Sequence, residues 1–205
     1  MKIPNHTALK EWASVVAAIG AGEQILLLRK GGIADPKFGV DADRFHLFPT
    51  YLHQKEKLFQ PQRAEWFRRT DRDDPEPPEV EIDTWVEVVE TFQIRELDRL
   101  LALEPFLIFT RETIEERYRF RPEQAVHVIA VRGWKLPRPA AIRADRPEYR
   151  GCVSWISLEE EIPIDGSTRA MPEETLRGRI DEVVRALKAV PGAPLTARDP
   201  AASRS

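Results

Sequence analysis

Apolar side chains recur along this chain with two different periods, and the switches between them mark out its elements. Leu9, Trp12, Ala13, Val16 and Ile19 follow the spacing of one helix face, with Gly20 and Gly22 as a stop, although residues 15–19 also read as the first arm of a hairpin. The run Ile25-Leu26-Leu27-Leu28 is too apolar for a strand wetted on one side, so residues 24–29 are expected to form a strand buried on both faces. Arg29, Lys30, Gly31 and Gly32 then leave that strand at the rim of the core, as a cationic corner with accessible backbone amides.

Residues 45–51 read as a second short strand, broken by Pro49. Residues 80–94 carry the longest strand signal, because Ile82, Thr84, Val86 and Val88 alternate with Asp83, Trp85, Glu87 and Val89. Residues 95–104 read as a helix ended by Pro105, and a second helix starts with Thr110 as N-cap and runs to about Arg119. Strands are expected at 126–131 and 152–158, joined by a proline-punctuated connection over 136–150. An amphipathic helix over 172–190 turns Leu176, Ile180, Val183, Val184 and Leu187 inward. The stretch 60–79 is polar, and its Asp73-Asp74-Pro75-Glu76-Pro77-Pro78 centre reads as an exposed, extended connector. Mostly sequential strands with helices inserted between them predict an α+β fold: a curved or barrel-like mixed sheet with a C-terminal helix. The expected organisation is one domain over 1–190, with the exposed connector at about 70–79, and a disordered tail over 191–205.

The 205 residues, 42% of them hydrophobic, suffice for one substantial core. A formal net charge of −3 disfavours indiscriminate coating of nucleic acid or anionic membrane. One cysteine, Cys152, excludes an internal disulfide framework and a cysteine-based zinc site, and fits a reducing compartment. No signal-peptide pattern opens the chain and no apolar stretch approaches the roughly 20 residues of a membrane helix, so the expected location is cytoplasmic, away from membranes.

Charge is segregated along the chain. Residues 79–104 hold eight acids and two bases, whereas residues 132–150 hold six bases and two acids, interleaved with Trp134 and Tyr149. Added to Arg29, Lys30, Arg117, Arg119 and Arg121, the basic run is able to line a groove for phosphates and unstacked bases. Ordinary solvated charges, paired with Glu115, Glu116 and Glu148, would leave the same pattern.

The corner at Lys30-Gly31-Gly32 has neither P-loop nor dinucleotide-fingerprint spacing, so it reads as an anion-binding nest or a plain glycine turn. In FHLFPTYLHQ, the side chains of His46, Thr50, Tyr51, His53 and Gln54 crowd polar groups into an apolar run. His46 and His53 lack the i, i+4 spacing and matched carboxylate of a helical zinc site, so no metal and no cofactor is expected. Either imidazole is a general acid or base, a donor to a base edge, or a hydrogen-bonded core residue. Cys152 reads as a small buried hydrophobe, and Trp155 as a stacking platform or an inward core residue.

The combination LKEWA, LLLRKGGI, PTYLHQ and GCVSW resembles a bacterial family of domains of unknown function, over nearly the whole chain apart from the tail. The resemblance implies no established activity. Relatives of that family can accompany Mrr-like restriction endonuclease domains, which implies a link to DNA restriction and a restriction-system protein as partner. A helix, a glycine and a cation-bearing strand are also similar to the opening of ASCH domains of the PUA-like superfamily. Their G-x-K-T-x-E-x-R pattern is matched at Gly22 and Arg29, while Gln24 and Leu27 replace its lysine and glutamate. This resemblance implies a PUA-like barrel with a nucleic-acid cleft, lacking the polar pair that supports hydrolysis in amidohydrolase-like members.

The expected function is a non-enzymatic module that binds DNA or RNA and reads a modified base in restriction or RNA processing. Arg29, Lys30, Gly31 and Gly32 would hold phosphate; His46, Tyr51, His53 and Gln54 would line a pocket. Trp155 with Arg132 or Arg150 would stack or clamp, and Arg117 and Arg119 would extend the groove. Two alternatives stand beside it. One is a small hydrolase or nuclease with His46 or His53 as general base beside Arg29, Lys30 or Tyr118; the other is a regulatory protein-interaction domain using residues 79–104.

Overall fold

The first element is a strand, not a helix. In a computed structural model that describes residues 6–30, 42–151, 153–192, 194–195 and 197–198, β1 (Thr7–Trp12) precedes α1 (Ala13–Gly20). The helical spacing read from the sequence holds from Ala13 onward. Leu9 and Trp12 are drawn into extended backbone by pairing with distant strands: Leu9 faces Leu47 on one side and Trp155 on the other, and Trp12 faces Thr50. Tertiary pairing here overrides a local period.

Strand β2 (Leu26–Arg29) is buried at Leu26, Leu27 and Leu28, as its composition requires. Then come β3 (Arg44–Thr50), α2 (Glu65–Thr70), β4 (Glu79–Ile94), α3 (Leu97–Leu101) and α4 (Arg111–Arg119). The polar stretch 60–79 thus contains a short helix, held by buried Trp66 and Phe67, ahead of its Asp- and Pro-rich centre, where residues 73–76 are exposed. Thr110 caps α4, its Oγ1 accepting from Thr113 N at 3.3 Å.

Strand β5 (Val126–Arg143) continues twelve residues past the expected end at Val131. Its prolines are accommodated by a bulge: Ile82 of β4 faces Ala140 and Thr84 faces Lys135, so residues 136–139 oppose Asp83 alone. Pro137 and Pro139 therefore sit where the ladder asks for no amide donor. The remaining elements are β6 (Trp155–Ser157), β7 (Thr168–Arg169), α5 (Glu173–Ala189) and β8 (Ala197–Arg198). Strand β8 lies in the segment expected to lack structure, and pairs with Thr91 and Phe92 of β4.

The strands form one eight-stranded mixed sheet of order β2-β5-β4-β3-β1-β6, with β7 added to β5 and β8 to β4. Only the β1–β3 pair is parallel among these ladders. The sheet curls until its two ends meet. From edge strand β2, Arg29 reaches the Lys10 carbonyl at 3.2 Å and Ser154 Oγ, beside β6 at the other edge, at 2.8 Å. The architecture is the expected α+β one, with helices around a curved mixed sheet.

Two apolar clusters fill it. The larger gathers β2, the middle of β5, Phe92, Ile114 and Val183; the smaller gathers Phe48, Val80, Trp85, Tyr149 and Ile156. Helix α1 presses on the sheet at two glycines: a Cβ on Gly20 would lie 2.6 Å from Thr84 Oγ1, and one on Gly133 would lie 2.9 Å from the Ile19 carbonyl oxygen. No helix among the described residues is long and apolar enough to cross a membrane.

Candidate functional site

The sheet's meeting edges leave an open cleft of about 1100 Å³, lined from β1, β2, the end of β3, α4 and the segment before β6. Its floor is an ionic knot. Glu11 is 4% exposed; its Oε1 accepts from the Trp12 amide at 2.7 Å and its Oε2 faces Arg29 Nη1 at 3.4 Å. Beside them, the Arg117 guanidinium stacks on the rings of Trp12 and Phe109, 4.5 and 4.6 Å from their centroids, and donates from Nη1 to the Leu28 carbonyl at 3.3 Å. Its Nε is sheltered from solvent without a hydrogen-bond partner among the described residues. Burial lowers the Arg117 pKa below its ordinary value, opposed by the Glu11 carboxylate and reinforced by the Arg29 cation. Two guanidiniums thus share one buried carboxylate, which leaves the floor with positive charge in excess.

Further cations surround the floor. The Lys10 ammonium donates to the carbonyls of Tyr149 and Gly151 at 2.7 and 2.9 Å, and Lys30 donates to the Tyr118 carbonyl. Burial lowers the Lys30 pKa, with Glu123 opposing the shift. Lys55 and Lys57 line the cleft, exposed, and their ammonium groups form no hydrogen bond or ion pair among the described residues. The acid between them, Glu56, is taken by Arg68 at 2.6 Å. Arg150 is exposed on the cleft as well, its charge lowering the Asp145 pKa after the larger effect of Arg143.

The cleft also has apolar faces. Leu52 at 38% and Phe120 at 49% are the large hydrophobic side chains exposed among the described residues, and both border it. Tyr51, on the same wall, carries the Arg72 guanidinium 4.2 Å from its ring centroid. Burial raises the Tyr51 pKa; Arg72 opposes that, and Glu81 and Asp83 add to it. His53 stands exposed at this wall with φ 67, a left-handed backbone unusual for a residue other than glycine.

Of the residues singled out from the sequence, the cleft brings together Arg29, Lys30, Tyr51, His53, Arg117 and Arg150. Gly31, Gly32 and Cys152 lie outside the described residues. His46 does not line the cleft: it is 2% exposed, burial pushes its pKa down to about 4 against a backbone hydrogen bond at Ile162, and its Nδ1 has no partner among the described residues. Gln54 accepts from the Ser14 amide at 3.1 Å, closing a free donor in the first turn of α1. Tyr118 donates its hydroxyl to the Arg95 carbonyl at 2.9 Å, and Arg119 pairs with Glu115 at 2.8 Å. Trp155 packs edge-on against Phe45, with centroids 4.8 Å apart.

Arg132 leaves the cleft for a physical reason that it shares with Lys135. Strands β4 and β5 are antiparallel, so the acidic and basic stretches face each other: Glu87 is registered with Arg132 and Glu79 with Arg143. Arg132 bonds Glu87 at 2.9 Å and Glu173 at 2.8 Å, Lys135 pairs with Asp83, and Arg143 pairs with Asp145 at 2.9 Å. Two of the six bases are thus met by acids across the ladder, and Arg143 by an acid two residues away.

Sequence reasoning passed over Lys10, Glu11, Leu52, Lys55, Lys57 and Phe120. Glu11 carried a signal, as a carboxylate inside the apolar LKEWASVV; Lys55 and Lys57 flank an acid and looked neutralised.

Fold and cleft together define an α+β domain with a cationic, aromatic-walled groove at the seam of a curled sheet. The model of the family described as "Domain of unknown function (DUF1802)" matches residues 8–182, and the chain belongs to that family. Among solved structures it is similar to a mutant form of the ZmASCH protein from Zymomonas mobilis, at 10% identity and a TM-score of 0.44, over 78% of this chain and 93% of that one. No curated protein sequence matches.

Proposed function

We propose that the cleft binds nucleic acid and holds unpaired bases against its apolar rim. The observation that carries this reading is the placement of Lys55 and Lys57, exposed and unpaired among the described residues, on the same cleft as exposed Leu52 and Phe120. Free ammonium groups suit a phosphate backbone, and exposed apolar faces suit bases taken out of a stack. Arg29 and Arg117, tied into the floor, shape the site and supply its field, while Lys55, Lys57 and Arg150 make the contacts.

The test is anisotropy with labelled single-stranded DNA and RNA oligonucleotides across a salt series. Affinity falls with salt, and the double variant Lys55→Ala/Lys57→Ala flattens the log–log slope by about 1.4, at roughly 0.7 per lost phosphate contact. An unchanged slope in that variant overturns the assignment. Comparing the two oligonucleotides distinguishes DNA from RNA, and comparing each with its hairpin form tests the preference for unpaired bases.

A further inference from the structure

Residues 71–78 join α2 to β4, and at their middle Pro75, Glu76 and Pro77 line the same cleft. The segment is fastened at its ends. The Asp71 amide donates to the Phe67 carbonyl at 2.7 Å, ending α2, and the Pro78 carbonyl accepts from the Ala144 amide at 2.8 Å. Between these points Asp74 Oδ1 accepts from the Glu76 amide at 2.9 Å, a turn that shapes the segment without tying it to the body. Its side-chain contact to the body is the Arg72 guanidinium over the Tyr51 ring, 4.2 Å from its centroid.

Charge gives the segment its meaning. Asp71, Asp73, Asp74 and Glu76 are exposed, and none forms an ion pair among the described residues. Of these four, Glu76 lines the cleft, which carries seven cationic side chains and three further carboxylates. A segment with four carboxylates within six residues, one of them already on the cleft, carries a charge density like that of a short polyphosphate chain.

We propose that residues 71–78 are an acidic strap that competes from within the molecule for the cleft, latched by Arg72 on Tyr51 and displaced by a polyanionic ligand. This inference rests on the reading of the cleft as a nucleic-acid site for its ligand, though not for the strap's own docking. A single phosphate is a poor competitor for a strap with several tethered charges, whereas an oligonucleotide matches it charge for charge. The strap therefore sets a threshold that favours polymers over mononucleotides. It also makes binding less salt-dependent than the cleft's cations alone would, because the strap's carboxylates lower the potential that draws a polyanion in.

The experiment compares the full chain with its D73N/D74N/E76Q variant, whose substitutions are exposed and isosteric. One readout is anisotropy of a fluorescein-labelled oligothymidylate of about fifteen nucleotides, within the span of typical single-strand sites. The variant binds about tenfold more tightly at about 0.05 M salt, a common size for coupling between two contacts, with a steeper salt slope and a gain that shrinks towards about 0.5 M. The second readout needs no ligand: the 15N–1H heteronuclear NOE of residues 71–74 and 76. In the unmodified protein these residues lose order as salt rises, and in the variant they are already disordered at low salt. Arg72→Ala, which unlatches the strap without changing its carboxylates, shows the same loss of order. Measurable binding of equal strength in the two proteins overturns the proposal, as does an NOE indifferent to salt. If neither protein binds the oligonucleotide while the NOE responds to salt, the strap stands and the nucleic-acid reading falls.

Discussion

Arg29 and Ser154 are 125 positions apart in the chain, and their side chains meet at 2.8 Å. With the 3.4 Å contact from Arg29 to Glu11, this joins the edges of the curled sheet through side chains where no backbone ladder runs among the described residues. A seam of this kind leaves room between strands, and the cleft occupies that room.

Arg29→Ala removes the bridge and leaves the buried Glu11 carboxylate with Arg117 as its remaining cationic neighbour, which costs about 2 kcal/mol, less than the loss of a sole partner. A lower urea midpoint is expected. Arg29→Lys lies in between, because a single ammonium cannot span Glu11, Lys10 and Ser154 as the guanidinium does. A midpoint unchanged in Arg29→Ala would show that the seam is held by other contacts.

The two glycines where α1 meets the sheet, Gly20 on the helix and Gly133 on β5, differ in what opposes them. A Cβ on Gly133 meets a backbone oxygen, Ile19 O at 2.9 Å, whereas one on Gly20 meets the Thr84 hydroxyl at 2.6 Å. Backbone yields less readily than a rotating side chain. Gly133→Ala is expected to lower stability by about 2 kcal/mol, within the usual cost of overpacking, and Gly20→Ala by less, since alanine also favours the helix by up to about 1 kcal/mol. Thermal unfolding orders the two variants; the reverse order would contradict this reading of the contact.

His46 predicts the acid limb of stability. Its pKa is about 4 in the fold, against an unfolded value of about 6.5, so the unfolded chain takes up a proton first. Stability is complete above about pH 6.5 and declines as pH falls from there towards 4, by roughly 3 kcal/mol from this group. His127, also lowered by burial, adds in the same direction. Urea midpoints at several pH values should show the decline, and His46→Gln should make it shallower; equal slopes would mean that the decline has another source.

Phe120 tests the apolar rim separately from the cations. If an unpaired base rests on its exposed ring, Phe120→Ala weakens oligonucleotide binding by about tenfold, near the low end of roughly 1 to 3 kcal/mol per stacked base, and leaves the salt slope as it was. Anisotropy at two salt concentrations separates this from the loss expected at Lys55 and Lys57. A change in slope with no change in affinity would assign Phe120 a different place.

Some of the fold could be read directly because local chemistry decided it. Thr110 caps its helix, the apolar β2 is buried, and the spacing of Leu176, Val183 and Leu187 turns α5 inward, each determined within a few residues. Leu9 and Trp12 were misread because the ladders to Leu47, Thr50 and Trp155 come from distant segments. The continuation of β5 was hidden by Pro137 and Pro139, which are compatible with a strand only at a bulge that pairing with β4 creates. For the site, Arg29 and Lys30 were visible because a buried strand must release its charges at a rim. Arg132 was misplaced because its partners, Glu87 and Glu173, are remote in sequence. The unpaired state of Lys55 and Lys57 likewise depends on Arg68 capturing Glu56.

Because the cleft's lining begins at Lys10 and closes with Arg150 and Ser154, no shorter stretch of nascent chain contains it. During synthesis the cationic corner at Arg29 emerges long before the residues that complete its surroundings. A polypeptide halted before residue 150 would carry the charges without the groove, and whatever selectivity the finished protein has is acquired only once Ser154 has left the ribosome.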